Sequence, residues 1–407
     1  MIKKIKEQVF TDPLYGYITV EYDVIMKIID SNAFQRLRRI RQLSGVSMIF
    51  HGAEHSRFSH SLGTYHIATK FLKNESLNNY LSEREKLLFL TTALVHDIGH
   101  GPYSHAFEDV FKTDHEILGA KIIKEDKELN RILNRVDKEF LDDVVSIILK
   151  EGKHPILEQL ISSQLDVDRI DYLLRDAYFT GTPYGNIDID RLIRVLDVKE
   201  NKVVFRENGI NAIENYLINR YHMYWQVYFH RVCRAYEVIL EKIYLRIKDL
   251  LKEEYKFNCN IEPIRKIIDQ TFNISDYLSI DDYYINGLFS SFINSNDEIL
   301  KVLSKDFLDR NIWSYIDVNT SKVNDIIKNM TKDEIKYFTA TRKVYEQTYP
   351  TEEEGKIYIL LNNNKISSLY KESTIIKSLS SSGQKTDEKF FFRKWNHKYL
   401  LLKVKMI

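Results

Sequence analysis

The sequence has few cysteines, almost no net charge and no long apolar run, and each absence excludes a class of protein. Two cysteines among 407 residues, Cys233 and Cys259, cannot build a disulfide framework and favour a reducing compartment. The 59 basic and 58 acidic residues leave a net charge of +1, so bulk charge indicates neither a nucleic-acid partner nor an acidic membrane surface. No apolar run approaches the ~20 residues that span a bilayer, and the N-terminus lacks a signal-peptide core. We therefore expect a cytoplasmic protein without a membrane partner.

Histidine is concentrated in one part of the chain. Eight of the twelve histidines lie between residues 51 and 115. Scattered surface histidines would not crowd in this way, whereas a metal or proton-transfer site requires such a cluster.

The segment VHDIGHGPYSH, residues 95–105, carries the most chemistry. A leucine-rich run before it predicts a helix that begins at a capping box formed by Ser82 and Glu85. Glycine and proline at 99–102 end this helix, so His96 and Asp97 are expected at its C-terminal end. A neutral imidazole beside a carboxylate makes half of a mixed nitrogen and oxygen site for a divalent metal. The other half, one His and one Asp or Glu, has to come from elsewhere.

Further segments supply candidates for the missing ligands. RFSHS at 57–61 begins a predicted helix that carries His60, and SQLDVDRIDYLLRDAY at 163–178 predicts an acidic helix. A lone histidine on such a helix is more often a packed core residue than a ligand. An ion pair between Asp171 and Arg175 explains part of the acidic pattern. The basic residues of 35–42 are either a solvated helix face or a set of phosphate-binding arginines.

The organisation of the chain changes after about residue 254. Before it, two short β-like runs near Leu196 and at 203–206 predict a hairpin, and 209–252 predicts one long helix. After it, 262–346 predicts short helices with acidic joints such as IDDYYING, and 356–361, 365–369 and 398–404 predict strands. We predict a mainly α fold. A helical core at about 50–180 lies within a domain of residues 1–254, and a smaller C-terminal α+β region, 255–407, carries no catalytic motif of its own.

Together, His60, the pair His96-Asp97 and Asp168 match the pattern of the HD metal-dependent phosphohydrolases. With HDIGHGPYSH, RFSHS and LDVDRIDYLLRD around them, the chain resembles the deoxynucleoside-triphosphate triphosphohydrolase branch of that superfamily over roughly residues 8–240. The resemblance implies hydrolysis of deoxynucleoside triphosphates to deoxynucleoside and inorganic triphosphate. It also implies that these four residues hold a divalent metal, for which Mn, Fe, Mg, Ni, Co and Zn are all chemically suitable.

The same resemblance implies catalytic and substrate-binding roles. A protonated His105, oriented through His115 and Glu108, would protonate the departing 5′-oxygen, and His100 would contact the α-phosphate. Arg57 and Arg169 match positions that contact phosphates or base, and Tyr172 would line the pocket. Gln42 and Asp176 match positions that bind the 3′-hydroxyl. Leu43 matches a position whose bulk disfavours a 2′-hydroxyl, and a second residue with this gating role is expected near His230 and Tyr236.

Regulation is implied as well. Asp30, Gln35 and Arg38 match a guanine-nucleotide activator site, and Arg191 and Arg206 match arginines of an adjacent deoxynucleotide site. The resemblance implies that the activator is a guanine nucleotide or a deoxynucleoside triphosphate. Because such sites form at subunit contacts, it also implies a homotetramer or homodimer.

Two other functions fit the same residues. One keeps the metal site but acts on another phosphoester, such as a nucleoside monophosphate or a cyclic dinucleotide. The basic residues beyond the metal ligands favour a polyphosphate substrate over these phosphoesters. The other is a nucleotide sensor or nucleic-acid-binding protein with a structural metal site. The completeness of the set of ligands, proton donor and phosphate contacts argues against it.

Overall fold

A computed structural model describes residues 3–346, 349, 356–381, 383 and 385–395, and at residues 105 and 346 it describes the backbone alone. The fold is mainly helical with small sheets, which confirms the predicted class. The helices described are α1 Asp23–Asp30, α2 Asn32–Gln35, α3 Arg57–Phe71, α4 Glu75–Tyr80, α5 Glu83–Val95, α6 His105–Phe111, α7 His115–Glu125, α8 Lys127–Asn134, α9 Phe140–Ile148, α10 Pro155–Ile161, α11 Val167–Thr180, α12 Ile189–Val195, α13 Ile210–Met223, α14 Arg231–Lys252, α15 Glu262–Ile268, α16 Ile274–Leu278, α17 Asp282–Phe292, α18 Glu298–Leu308, α19 Thr320–Ile327, α20 Lys332–Phe338, α21 Leu369–Glu372 and α22 Thr374–Ser381.

The strands form three small sheets. They are β1 Lys4–Asp12, β2 Gly16–Tyr22, β3 Leu196–Lys199, β4 Lys202–Arg206, β5 Ser314–Asp317, β6 Thr339–Glu346, β7 Tyr358–Leu360, β8 Ile366–Ser368 and β9 Lys385–Phe392. Their order is β1-β2, β3-β4-β7-β8 and β5-β9-β6. The hairpin β3-β4 and the strands β7 and β8 confirm the sequence predictions, whereas the strand predicted at 398–404 lies outside the described residues.

The helix α5 lies at the centre of the N-terminal core. Its residues 87–95 are all buried, and α3 and α9 pack against it. A helix that is apolar on every side is stable only when other elements surround it. Its capping box forms as predicted, with Ser82 and Glu85 bonding each other's backbone amides. This anchored helix fixes the position of the loop that follows it.

The C-terminal region is joined to the rest of the chain through backbone pairing and helix packing. Strand β7 pairs in parallel with β4, so one sheet contains strands from both sides of residue 254. Helix α18 packs on α14. The division of the chain at 254 stays a prediction. No helix in the described part of the chain combines the length and the apolar character needed to cross a membrane.

The prediction of one long helix over 209–252 is wrong. Helix α13 ends at Met223, a π-helical turn follows at Tyr224–Tyr228, and α14 begins after His230, whose ring accepts a hydrogen bond from the Val232 amide. A π turn inserts extra backbone into a helix and often occurs at functional sites. Here Tyr224 and Tyr228 of the π turn contact Tyr172 and Asp176 of α11.

Candidate metal centre

Three elements bring the predicted metal ligands together. His60 lies on α3, His96 and Asp97 directly follow α5, and Asp168 lies in the first turn of α11. The loop after α5, residues 98–104, is called the metal-ligand loop below. At its Gly99, a Cβ atom would lie only 2.0 Å from the carbonyl oxygen of His115. Glycine therefore lets the loop approach the start of α7 closely.

Ligand atoms of His60, His96 and Asp97 lie within 4.8 Å of one another, and Asp168 lies against both imidazoles. Asp168 Oδ1 lies 3.0 Å from His60 Nε2 and 3.4 Å from His96 Nε2. Asp97 Oδ2 lies 3.5 Å from His60 Nε2, and its Oδ1 lies 3.4 Å from His96 Nε2. Ligands at about 2.1 Å from a shared metal ion are separated by about 3.0–3.4 Å in right-angled or tetrahedral arrangements. The observed separations fit a single divalent ion.

The hydrogen bonds of the two imidazoles favour the ligand form. His60 Nδ1 lies 2.8 Å from Asp171 Oδ2, and His96 Nδ1 lies 3.0 Å from the carbonyl oxygen of Ala93. A carbonyl oxygen only accepts, so His96 Nδ1 carries the proton and its Nε2 is left with a lone pair. Both Nε2 atoms are buried and face carboxylate oxygens of Asp97 and Asp168. Buried nitrogens of this kind fit a metal ligand set.

The charges of the site are strongly coupled. Burial raises the pKa of Asp97, but Arg57 and the neighbouring histidines outweigh it and hold that pKa well below its usual range. Burial lowers the pKa of His60, but hydrogen bonds with Asp168 and Asp171 and the charge of Asp97 raise it to about 10. Without a metal, a proton on His60 therefore offsets part of the negative charge of the carboxylates.

The predicted phosphate contact Arg57 binds a metal ligand in this structure. Its Nη1 pairs with Asp97, and its Nε and Nη2 donate to Ser104 Oγ at 2.9 and 2.7 Å. The guanidinium is buried, and it connects the metal-ligand loop with the start of α3. Its contact with substrate stays a prediction.

The predicted proton-transfer residues lie directly beside the metal centre. His100 Nδ1 is 3.3 Å from Asp97 Oδ1, and the rings of His100 and His115 are 3.9 Å apart. His115 Nδ1 lies 2.8 Å from Glu108 Oε1. Burial lowers the pKa of His115, but this hydrogen bond and the charge of Asp97 raise it overall. The side chain of His105 lies outside the described residues, so its role stays a prediction.

The residues predicted to bind the sugar lie near His55, about two turns along α11 from Asp168. Asp176 is buried; its Oδ1 lies 2.7 Å from His55 Nε2, and its Oδ2 accepts from the Tyr228 hydroxyl at 2.6 Å. The backbone amide of Gln42 donates to the backbone carbonyl of His55 at 3.0 Å. The side-chain oxygen of Gln42 is buried without a hydrogen-bond partner among the residues described. Leu43 is partly buried against the core.

The predicted gate residues have other contacts. His230 caps α14 and packs edge-on against Phe50, and Tyr236 stacks on Phe307 with ring centroids 4.1 Å apart. The side chain that reaches Asp176 from this part of the chain is Tyr228, which the sequence did not single out. The gate role of His230 and Tyr236 stays a prediction.

The predicted activator residues fall into two groups. Arg38 Nε donates to Gln35 Oε1 at 2.8 Å, and the Arg38 guanidinium lies 3.6 Å from the centroid of the Phe58 ring. Asp30, five residues before Gln35, is exposed. Arg191 donates to the Asn208 carbonyl at 2.7 Å, and Arg206 pairs with Asp197 at 3.0 Å. Nucleotide binding at both groups stays a prediction.

Comparisons with known proteins agree with this geometry. The model of the HD domain matches residues 57–176, and the HD associated region matches residues 187–271. The uncharacterized protein YwfO of Bacillus subtilis is 39% identical and covers 96% of this chain and 93% of its own length. A solved phosphohydrolase of Bacteroides thetaiotaomicron, 28% identical, superposes with a TM-score of 0.83 over 96% of this chain and all of its own. The deoxynucleoside triphosphate triphosphohydrolase SAMHD1 homolog of Dictyostelium discoideum is 27% identical, over 80% of this chain and 64% of its own length.

The chain belongs to the HD-domain phosphohydrolases that carry an HD associated region. It has the His/Asp metal site of that superfamily.

Proposed function

We propose that this protein hydrolyses deoxynucleoside triphosphates to deoxynucleoside and inorganic triphosphate, using a divalent metal. Relatives whose names state that activity include those from Dictyostelium discoideum and Homo sapiens, which are 27% and 26% identical to this chain. One structural observation supports the proposal. Helix α11 carries Asp168, Tyr172 and the buried Asp176 along one face.

The spacing on α11 suits an extended nucleotide. Asp168, Tyr172 and Asp176 follow each other at intervals of four residues, so they share one helix face. At 1.5 Å per residue, the outer two are separated by about 12 Å along the axis. Asp168 is 29% exposed, so the metal centre is open on the side of this helix. Phosphates at the metal centre and a sugar hydroxyl at Asp176 would both be within reach of one substrate.

Two arginines flank the same face and supply positive charge. Arg169 pairs with Asp166, whose Oδ1 also accepts the Arg169 amide at 2.7 Å. Arg220 donates to Gln164 at 2.7 Å, and its guanidinium lies 5.7 Å from the centroid of the Tyr224 ring. Arginine binds phosphate oxygens well because of its planar set of donors, so both guanidiniums suit contacts with the phosphates of a substrate.

Each group of residues has a chemical task in this reaction. His60, His96, Asp97 and Asp168 would hold the metal, which when bound polarises a phosphate oxygen and acidifies water. Burial lowers the pKa of the neighbouring His115, but its hydrogen bond to Glu108 raises that pKa overall, and so His115 would support proton transfer to the leaving oxygen through the predicted donor His105.

The sugar and activator sites complete the proposal. Asp176, held by His55 and Tyr228, has a fixed orientation from which it accepts a hydrogen bond from a 3′-hydroxyl. The other implied substrate contacts are Arg57, Gln42, Leu43, Arg169, Tyr172, His230 and Tyr236. We also propose nucleotide activation at a subunit contact in a homotetramer or homodimer, through Asp30, Gln35, Arg38, Arg191 and Arg206.

Product analysis tests the proposed reaction. The parent protein and the Asp97→Ala variant are incubated with the four deoxynucleoside triphosphates, singly and mixed, with Mn²⁺ or Mg²⁺. We expect deoxynucleoside and triphosphate from the parent and at least a 10³-fold lower rate from the variant, because the metal loses a ligand. The control is Asp190→Ala, which removes a carboxylate that is 83% exposed, and it should keep the parent rate.

The other outcomes separate the competing functions. Hydrolysis of a monophosphate or a cyclic dinucleotide, with deoxynucleoside triphosphates untouched, would establish a different substrate for the same metal centre. Nucleotide binding without turnover of any of these compounds, in a protein that holds its metal, would establish a sensor.

A further inference from the structure

We propose that Asp282, in the C-terminal region, is a positioning residue that holds the metal-ligand loop in its active shape. The proposal rests on the metal centre of the proposed function and adds a residue that lies far from the HD motif in sequence. It acts through backbone contacts and touches neither metal nor substrate.

The side chain of Asp282 joins two segments that both contribute to the site. Its Oδ1 accepts the Tyr103 amide at 3.0 Å, and its Oδ2 accepts the Arg41 amide at 2.9 Å. Tyr103 belongs to the metal-ligand loop, and Arg41 directly precedes the predicted sugar-binding Gln42. Asp282 is only 3% exposed, so water does not compete for these bonds.

The loop needs such a clamp because its backbone is strained. Tyr103 and Ser104 have φ angles of 56° and 50°, in the left-handed region that non-glycine residues rarely adopt. Such a conformation persists only where the surrounding structure enforces it. The Asp282 carboxylate provides a bond at the first of the two residues.

The strained turn is connected to the metal ligands through Ser104. Its hydroxyl oxygen accepts from two nitrogens of Arg57, and the third nitrogen of that guanidinium pairs with the metal ligand Asp97. A shift of the turn would therefore move Arg57 and release Asp97 from its orientation. Groups that orient metal ligands in this way commonly set metal affinity.

Two other residues reinforce the clamp. The Tyr277 hydroxyl donates to the Gly99 carbonyl at 2.7 Å. The fully buried Arg36 donates to the His100 carbonyl at 2.9 Å and to the Ile280 carbonyl, 244 positions away, at 2.8 Å. Carbonyl and amide groups of the same loop are thus bonded by segments on both sides of the HD motif.

Helix capping does not account for Asp282. The neighbouring Asp281 is the N-cap of α17, where its side chain accepts the Tyr284 amide at 2.9 Å. Both oxygens of Asp282 point instead to amides outside the helix. A carboxylate placed only to stabilise the start of α17 would not need these two distant partners.

The variant Asp282→Asn tests the proposal. The asparagine oxygen accepts one amide, while its NH₂ group faces the other N–H without an acceptor. We expect the affinity for Mn²⁺, measured by titration calorimetry, to fall about tenfold. The visible spectrum of the Co²⁺-loaded protein should change, because it reports ligand geometry, and kcat should fall while KM stays near the parent value.

Two further variants make the test specific. Asp281→Asn keeps an oxygen for the helix cap and loses only the charge that pairs with Arg39, so it should keep the parent Mn²⁺ affinity and Co²⁺ spectrum. Tyr277→Phe keeps the ring beside Arg36 and removes the bond to Gly99, and it should weaken Mn²⁺ binding by a factor of about three to ten.

The outcomes are decisive whether or not the substrate is a deoxynucleotide. Parent-like Mn²⁺ affinity and Co²⁺ spectrum in a folded Asp282→Asn protein with a lower Tm would reduce Asp282 to a structural residue and overturn the proposal. Should that variant not fold, unchanged Mn²⁺ binding in Tyr277→Phe would overturn it instead. Both metal readouts need no substrate, so a parent protein that fails to hydrolyse deoxynucleoside triphosphates would refute the proposed function alone.

Discussion

At the scale of single residues, the partner of each imidazole determines what the imidazole can bind. Asp171 lies against His60 Nδ1, and Asp171 is itself held by two nitrogens of Arg175 at 2.9 and 3.1 Å and by the Tyr15 hydroxyl at 2.7 Å. Arg175 also pairs with Asp12. A fully buried carboxylate is stable only with this many partners. The network orients His60 Nε2 toward the metal position.

Replacing Asp171 should weaken metal binding although all four ligands remain. We expect Asp171→Asn to lower the Mn²⁺ affinity by about 10–100-fold, because His60 loses the charged acceptor that fixes its ring and its tautomer. Titration calorimetry of the metal-free protein measures this change.

The matched control for this variant is Asp137→Asn. It also breaks an arginine–aspartate pair, with Arg84 at 2.8 and 2.9 Å, but away from the metal ligands. It should bind Mn²⁺ like the parent. Equal Mn²⁺ affinities for the two variants would show that Asp171 does not support metal binding.

At the scale of helices, α3 and α11 approach each other so closely that one position on α3 excludes any side chain. A Cβ atom on Gly63 would lie 1.9 Å from Asp171 Oδ1 and 2.3 Å from Arg175 Nη2. These atoms belong to a buried ion pair and cannot move apart without losing their hydrogen bonds. The glycine thus allows the two helices that carry His60 and Asp168 to meet.

Gly63→Ala should therefore destabilise the protein strongly. We expect a loss of about 3 kcal/mol or more in the free energy of unfolding, from overpacking and from disruption of the buried pair. Gly287→Ala is the control: its Cβ meets no atom within 4 Å, and it lies within the exposed side of α17. That change should stabilise by about 0.5–1 kcal/mol, because alanine restricts the unfolded chain. Urea unfolding of both variants measures the difference, and a similar loss for both would contradict the packing argument.

The π-helical turn shows why part of the site could not be predicted from the sequence. The metal ligands could be predicted because they lie inside short segments whose residue types and helical spacing are themselves informative. The contact of Tyr228 with Asp176 could not be predicted, because the orientation of Tyr228 depends on backbone inserted at Tyr224–Tyr228, which no side-chain periodicity encodes. A regular helix over 209–252 would rotate the residues that follow Tyr224 differently.

At the scale of the whole molecule, the C-terminal region is structurally continuous with the metal centre. The mainly α class, the hairpin β3-β4 and the strands β7 and β8 follow from local patterns and were predicted. The parallel pairing of β7 with β4 and the bonds from Tyr277 and Asp282 to the metal-ligand loop join residues more than 150 positions apart. Local patterns carry no information on such distant contacts, so this region was read as an appendage without a catalytic motif.

The protonation of the metal centre couples metal binding to the stability of the whole molecule. In the metal-free protein the pKa of His60 is raised from 6.5 to about 10. A histidine with a raised pKa contributes stability that is fully present below the unfolded pKa and is lost as pH rises through the folded pKa. The metal-free protein should therefore lose stability as pH rises from about 6.5 toward 10, whereas a metal binds the neutral imidazole and replaces the lost proton.

We accordingly expect the difference in Tm between the Mn²⁺-saturated and the chelated protein to widen between about pH 6.5 and pH 9. Metal at 100 times its Kd adds about 2.7 kcal/mol at any one pH, and a Kd that falls with rising pH increases this gain at fixed metal concentration. Thermal unfolding with and without a chelator measures the difference. His60→Ala should abolish both the difference and its pH dependence, while the variant of an exposed histidine, His51→Ala, should keep them. A difference that stays constant over this pH range would contradict proton displacement at His60, because ligand exchange between a proton and a metal requires the affinity to change with pH.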